Sequence, residues 1–139
     1  MRLEEKKMNK IIVTTLALLF VAIPVSAKHV HLEKEYQEAW CTAHNGIMEY
    51  ELPDKTRIDC VSAYATEFDF SYKVYEAIGQ SLYYSAMINK PPAVVLIMEN
   101  PDRSREQKYL DRLNVVAKKH GITVFIMTPA DLEQMNLKK

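Results

Sequence analysis

The 139-residue sequence predicts an α/β domain with a mixed sheet. Three observations predict it. Three short alternating segments between residues 47 and 70 lie close enough to form an antiparallel meander. Two continuous apolar runs, Ala93–Met98 and Ile122–Met127, read as strands buried on both faces, which is the pattern of parallel pairing. Helical patterns precede and separate those runs, as parallel connections require. The predicted order is α-βββ-α-β-α-β-α.

Each element has a local reason. His31 to Ala43 is rich in Glu, Gln, Ala and Leu, and Asn45-Gly46 suits a helix stop. In Ile47 to Leu52, Met48, Tyr50 and Leu52 alternate with Glu49 and Glu51. Pro53-Asp54-Lys55-Thr56 is a turn. Arg57–Val61 and Ala65–Phe70 supply the second and third strands. Tyr72 to Asn89 is a helix closed by Pro91-Pro92. Arg103 to His120 is a helix whose apolar side is Leu110, Leu113, Val116 and Ala117. Lys118 and Lys119 suit its negative end, and Gly121 suits its cap. Thr128 and Pro129 open a short last helix at the N-cap and first helical positions.

Composition narrows the class. Hydrophobic residues make up 48% and only 3 residues are Gly, which is globular rather than disordered or collagenous. The 18 basic and 18 acidic residues cancel, which argues against a basic nucleic-acid coat protein. That balance is an average over unlike parts. Lys10, an apolar run over 11–23 and Val25-Ser26-Ala27 have the order of a secretory signal, expected over residues 1–27. The run is short for a membrane anchor. Its removal takes four bases and two acids, leaving residues 28–139 as one domain with a net charge of −2. The expectation is an exported protein, periplasmic or secreted, with no membrane insertion after cleavage. In an oxidising compartment Cys41 and Cys60 are either a disulfide or two buried thiols.

Periodicity then brings acids together. In Glu67-Phe68-Asp69-Phe70 the two Phe face the core, which places Glu67 and Asp69 on the opposite face. Ile58 and Cys60 face inward, so Asp59 faces the other way. If these strands are neighbours, three carboxylates converge. That is either a solvated sheet face or an oxygen-rich site for Mg²⁺ or Mn²⁺. On the following helix Lys73, Gln80 and Tyr84 share one stripe, with Ala77 between them. His29 and His31 read as a frayed tail. Arg103, Arg105 and Lys108 interleave with Asp102, Glu106 and Asp111 as a mixed solvated face.

This arrangement resembles the PD-(D/E)XK nuclease superfamily, in particular its branch with a Gln-x-x-x-Tyr motif. The family's restriction-endonuclease-like core is α-βββ-α-β, and the resemblance spans about Glu35 to Met98. Glu35 holds the place of the first-helix Glu ahead of Gly46, with Glu38 a second candidate. Asp59 holds the second-strand Asp, and Glu67 the Glu of Glu-x-Lys. Gln80 and Tyr84 hold the Gln-x-x-x-Tyr positions. Asp69 replaces the motif lysine, and Lys73 is the candidate substitute from the helix start. The resemblance implies metal-dependent phosphodiester hydrolysis of DNA or RNA. Asp59, Glu67 and Asp69 would bind Mg²⁺ or Mn²⁺, with the Phe68 carbonyl as a further ligand. Glu35 would hold a water, Lys73 the nucleophile, and Gln80 and Tyr84 the substrate. The alternative is a catalytically inactive nuclease-fold binding or interaction module.

Overall fold

The computed structural model describes residues 29–138, so the export segment expected over 1–27 lies outside the described residues. Helix α1 (Glu33–Ala43) starts at Glu33 rather than His31. The Glu35 carboxylate accepts the Leu32 backbone N–H at 2.5 Å and satisfies a donor that the first turn leaves unpaired. Asn45, at φ 51°, turns the chain into β1 (Ile47–Glu51). Asp54 accepts from the Thr56 amide and hydroxyl and closes the turn into β2 (Arg57–Val61). Next come β3 (Ala65–Phe70), a 3-10 turn over Ser71–Lys73, and α2 (Val74–Ile88). Asn89 ends α2 in the left-handed region. Then follow β4 (Pro92–Ile97), α3 (Ser104–His120), β5 (Thr123–Met127) and α4 (Pro129–Asn136). Thr128 and Asp131 cap α4 reciprocally, as the Thr-Pro start predicts.

The five strands form one mixed sheet in the order β1-β2-β3-β4-β5. The first three pair antiparallel, and β3, β4 and β5 pair parallel. Both parallel connections step in the same direction across the sheet. With a common hand they place α2 and α3 on one face. Helices α1 and α4 cover the other. The α1/α4 core contains Tyr36, Trp40, Phe68, Val95, Met127 and Leu132. The α2/α3 core contains Val74, Ala77, Val94, Leu96 and Leu113. Strand β4 feeds both cores from alternate residues, which explains its unbroken apolar run. No helix among the described residues is long and apolar enough to cross a membrane.

Cys41 of α1 and Cys60 of β2 form a disulfide, with Cα atoms 5.8 Å apart. It ties the first helix to the sheet and closes a loop worth about 3 kcal/mol of chain entropy. Gly46 sits against this bridge. A Cβ there would overlap both sulfurs and crowd the Val61 carbonyl at 3.2 Å. Gly46→Ala is therefore expected to destabilise the oxidised protein by about 1–3 kcal/mol, read by urea unfolding. The penalty should shrink in a Cys41→Ala, Cys60→Ala background, where the sulfurs are gone. An equal penalty in both backgrounds would reject the assignment to the bridge.

Candidate active site

Strands β2 and β3 pair through only two residue pairs, Cys60↔Thr66 and Val61↔Ala65. Beyond them the strands part, and side chains take over the ladder. The Phe68 amide donates to Asp59 Oδ2 at 2.8 Å. The Asp59 amide approaches Glu67 Oε1 at 3.3 Å. Each acid therefore satisfies a backbone donor that the missing ladder would have paired. Burial alternates along β2 as expected, with Ile58 and Cys60 buried and Asp59 less so, but the two apolar side chains join different clusters. Cys60 packs with the α1/α4 core, whereas Ile58 packs with Leu52, Ala65 and Tyr84. Opposite Asp59, Glu49 of β1 has φ 52°, a conformation that disturbs regular strand pairing.

The acids on β3 are not on a solvated face. Glu67 and Asp69 are each 3% exposed. Burial, together with neighbouring carboxylates, pushes Asp59 up to about 7 and Glu67 up to about 9. Asp69 is pushed up to about 7, first by burial and then by Glu33, against the opposing pull of Lys73. Asp69 Oδ1 is buried without a hydrogen-bond partner. The Lys73 ammonium stands 3.6 Å from that oxygen. Asp69 in turn holds Lys73 above the ordinary lysine range.

The first-helix acids divide. Glu35, the sequence candidate, sits in the α1 cap, 3.6 Å from the His31 ring, rather than among the strand acids. Glu38 is exposed and lies 3.9 Å from Lys34. Glu33 is the α1 carboxylate whose charge reaches Asp59, Glu67 and Asp69. Burial raises its own proton affinity, Lys73 lowers it, and Glu76 and Glu49 raise it further. The sequence signal for Glu33 was present only as one of several acids in that helix.

The α2 residues divide. Lys73 precedes α2 and reaches Asp69, but neither Asp59 nor Glu67 lies within ion-pair distance of it. Tyr84 is buried and lies close enough to Glu67 and Asp59 to feel their charge. Burial and those charges raise its proton affinity. Gln80 is half-buried one turn earlier on the same stripe.

Among the described residues, no three His, Cys, Asp or Glu side chains are drawn together as a closed ligand set. The donors that do converge are all carboxylate oxygens, and one of them is a buried orphan. That chemistry fits a hard divalent cation such as Mg²⁺ or Mn²⁺. It does not fit a thiolate or imidazole metal.

Sequence reasoning missed a second cluster. Glu99, just after β4, accepts from the Val30 and His31 amides at 3.0 Å each, from Tyr36 Oη at 2.9 Å, and contacts His29 Nδ1 at 3.0 Å. Burial raises the Glu99 carboxyl, but these hydrogen bonds outweigh it and hold it below the usual range. The segment read as a frayed tail is thus docked. Its partner is 70 residues away, beyond any local pattern. Comparison of the chain with protein-family models, curated proteins and solved structures finds no match.

Proposed function

We propose that this chain is a metal-dependent nuclease with a restriction-endonuclease-like core, hydrolysing phosphodiester bonds of DNA or RNA outside the cytoplasm. The observation that carries the reading is the parted β2–β3 junction, where half-buried Asp59 and buried Glu67 each take a backbone N–H, no cation among the described residues pairs with either, and Asp69 on the same strand face keeps a buried oxygen without a hydrogen bond. Such a cluster is costly in an apoprotein and becomes favourable when a divalent cation occupies it. The Cys41–Cys60 disulfide supports an oxidising location.

Asp59 and Glu67 would hold the cation, with Asp69 as a further carboxylate. A bound Mg²⁺ or Mn²⁺ supplies charge for the phosphate and lowers the pKa of a coordinated water. The remaining work falls to the chain's own groups. Glu33 is positioned to accept a proton, because its proton affinity is already raised. Lys73 contributes positive charge beside Asp69, offsetting negative charge that grows on the phosphate. Tyr84 and Gln80 line the α2 side and orient the substrate backbone.

The test is cleavage of single- and double-stranded DNA and RNA by the purified protein. Hydrolysis is expected with Mg²⁺ or Mn²⁺ and none with chelator. An absence of cleavage on all four substrates with either metal would reject the enzymatic reading. One observation favours an inactive interaction module instead. Lys73 is engaged by Asp69, not by the two acids that would hold the metal. That reading predicts Mn²⁺ binding too weak for calorimetry, alongside the absent cleavage.

A further inference from the structure

Helix α3 carries Arg105, Lys108, Arg112 and Lys119 at i, i+3, i+7 and i+14. This spacing confines them to a stripe of about 60° on the helix surface. All four are exposed. The acids that alternate with them in sequence accept hydrogen bonds from other groups. Glu106 spends one oxygen on the Ser71 hydroxyl at 2.6 Å and the other on the Asn100 amide at 2.8 Å. Asp111, which borders the stripe one turn after Lys108, accepts from Gln107. Only Arg105 has a carboxylate nearby, the exposed Asp102 at 3.8 Å. Among the described residues, Lys108, Arg112 and Lys119 have none within ion-pair distance. Within the mixed solvated face expected from sequence, Lys108, Arg112 and Lys119 thus form a cationic stripe without ion-pair partners among the described residues.

Aromatic rings stand beside that stripe. Lys108 lies 4.9 Å from the Tyr109 ring centre, and Arg112 lies 5.7 Å from Tyr109 and 6.0 Å from Tyr75. Tyr72 and Tyr75 are more than half exposed. Near the N-terminal end of the stripe, His29 stacks on Phe70 at 3.7 Å, and the Tyr72 ring lies within 9° of parallel to both. This set of near-parallel planes opens on a cleft of about 520 Å³, whose lining includes Arg105, Lys108 and Tyr109. The Glu99 oxygens in its wall are already taken up by the Val30 and His31 amides, Tyr36 and His29.

We propose that this α3 stripe and its tyrosines are a docking surface for single-stranded nucleic acid. Cations without carboxylate partners match a phosphate backbone, and exposed rings match the faces of unpaired bases. A duplex keeps its bases stacked internally and offers the surface only its phosphates. The surface uses no residue of the acid cluster. Binding therefore stands apart from catalysis, and only the role of single strands as substrate rests on the nuclease reading.

The experiment is fluorescence anisotropy of a labelled oligothymidylate about 12 nucleotides long, a length within the span of known single-strand sites. It is run on the protein in chelator, where no metal-dependent cleavage occurs. Saturable binding is expected, weakening as salt rises. Lys108→Glu combined with Arg112→Glu should weaken it at least about tenfold by removing and reversing two phosphate contacts. Tyr72→Ala combined with Tyr75→Ala should weaken it at least about fivefold through lost stacking. Unlabelled duplex of the same length should compete at least about tenfold more weakly than unlabelled single strand. All four variant sites are exposed, and circular dichroism checks that the fold is kept. No binding, charge-reversal affinity within twofold of the parent, or equal competition by duplex would overturn the proposal. Binding as predicted with no cleavage in Mg²⁺ or Mn²⁺ would leave this surface standing and reject the enzymatic reading alone.

Discussion

Asp59→Asn is expected to reduce metal-dependent cleavage by at least about 10²–10³-fold, the usual loss when one electrostatic element of a site is removed. The substitution keeps a side-chain oxygen that can still accept from the Phe68 amide, so the parted strands retain that bond. What is lost is one negative charge toward the cation. The loss should therefore appear in kcat and in the metal concentration needed for half-maximal rate, not in the folded fraction. Two first-helix variants sharpen the comparison. Glu33→Gln should reduce the rate, because its charge reaches all three strand acids. Glu35→Gln should leave the rate near the parent value, because Glu35 is occupied with the helix cap. Steady-state cleavage with metal titration measures all three. An Asp59→Asn protein within tenfold of the parent would remove the carboxylate site from the reaction.

The second large effect concerns stability against pH in the metal-free protein. Asp59 and Glu67 move from ordinary values of 3.8 and 4.5 to about 7 and about 9, chiefly through burial. The folded protein therefore holds these protons more tightly than the unfolded chain does. Their contribution to stability is fully present at low pH, below the ordinary values. It is lost as pH rises through about 7 and then about 9. A tenfold difference in proton affinity corresponds to about 1.4 kcal/mol. A loss on the order of 3 kcal/mol, roughly two such tenfold steps, is expected between about pH 5 and about pH 9. In a chain of this size that is a fall of about 10 °C in Tm. Differential scanning calorimetry in chelator measures it. Asp59→Asn and Glu67→Gln should each flatten the slope and raise Tm at alkaline pH. Mn²⁺ should raise the parent Tm most at alkaline pH, where the carboxylates are ionised. A Tm that is flat or rises across this range would show that the acids are not buried as described.

Local pattern explains much of the fold. The apolar run of Ala93–Met98 demanded burial on both faces, and β4 feeds both cores. Gly121 and Thr128-Pro129 bracketed β5 because left-handed caps and helix starts impose strong local requirements. Glu67 and Asp69 share a face for the same reason of periodicity. The alternation read into β2 gave the buried positions but not the cluster each one joins. Once Asp59 and Glu67 take over the backbone donors, Ile58 and Cys60 pack in different cores.

By itself, the sequence determined the α/β class, the order of the elements and which acids lie on β2 and β3. These follow from periods of 2 and 3.6 and from turn chemistry, which act over a few residues. Only the tertiary structure decided which acid of α1 joins them, that the acids are buried rather than solvated, and that Cys41 meets Cys60. It also decided that His29 docks on Glu99 and that, among the described residues, Lys108, Arg112 and Lys119 of α3 stand without carboxylate partners, with Tyr75 of α2 beside Arg112. Those outcomes depend on the parted β2–β3 ladder and on contacts between residues far apart in sequence, which no local period encodes.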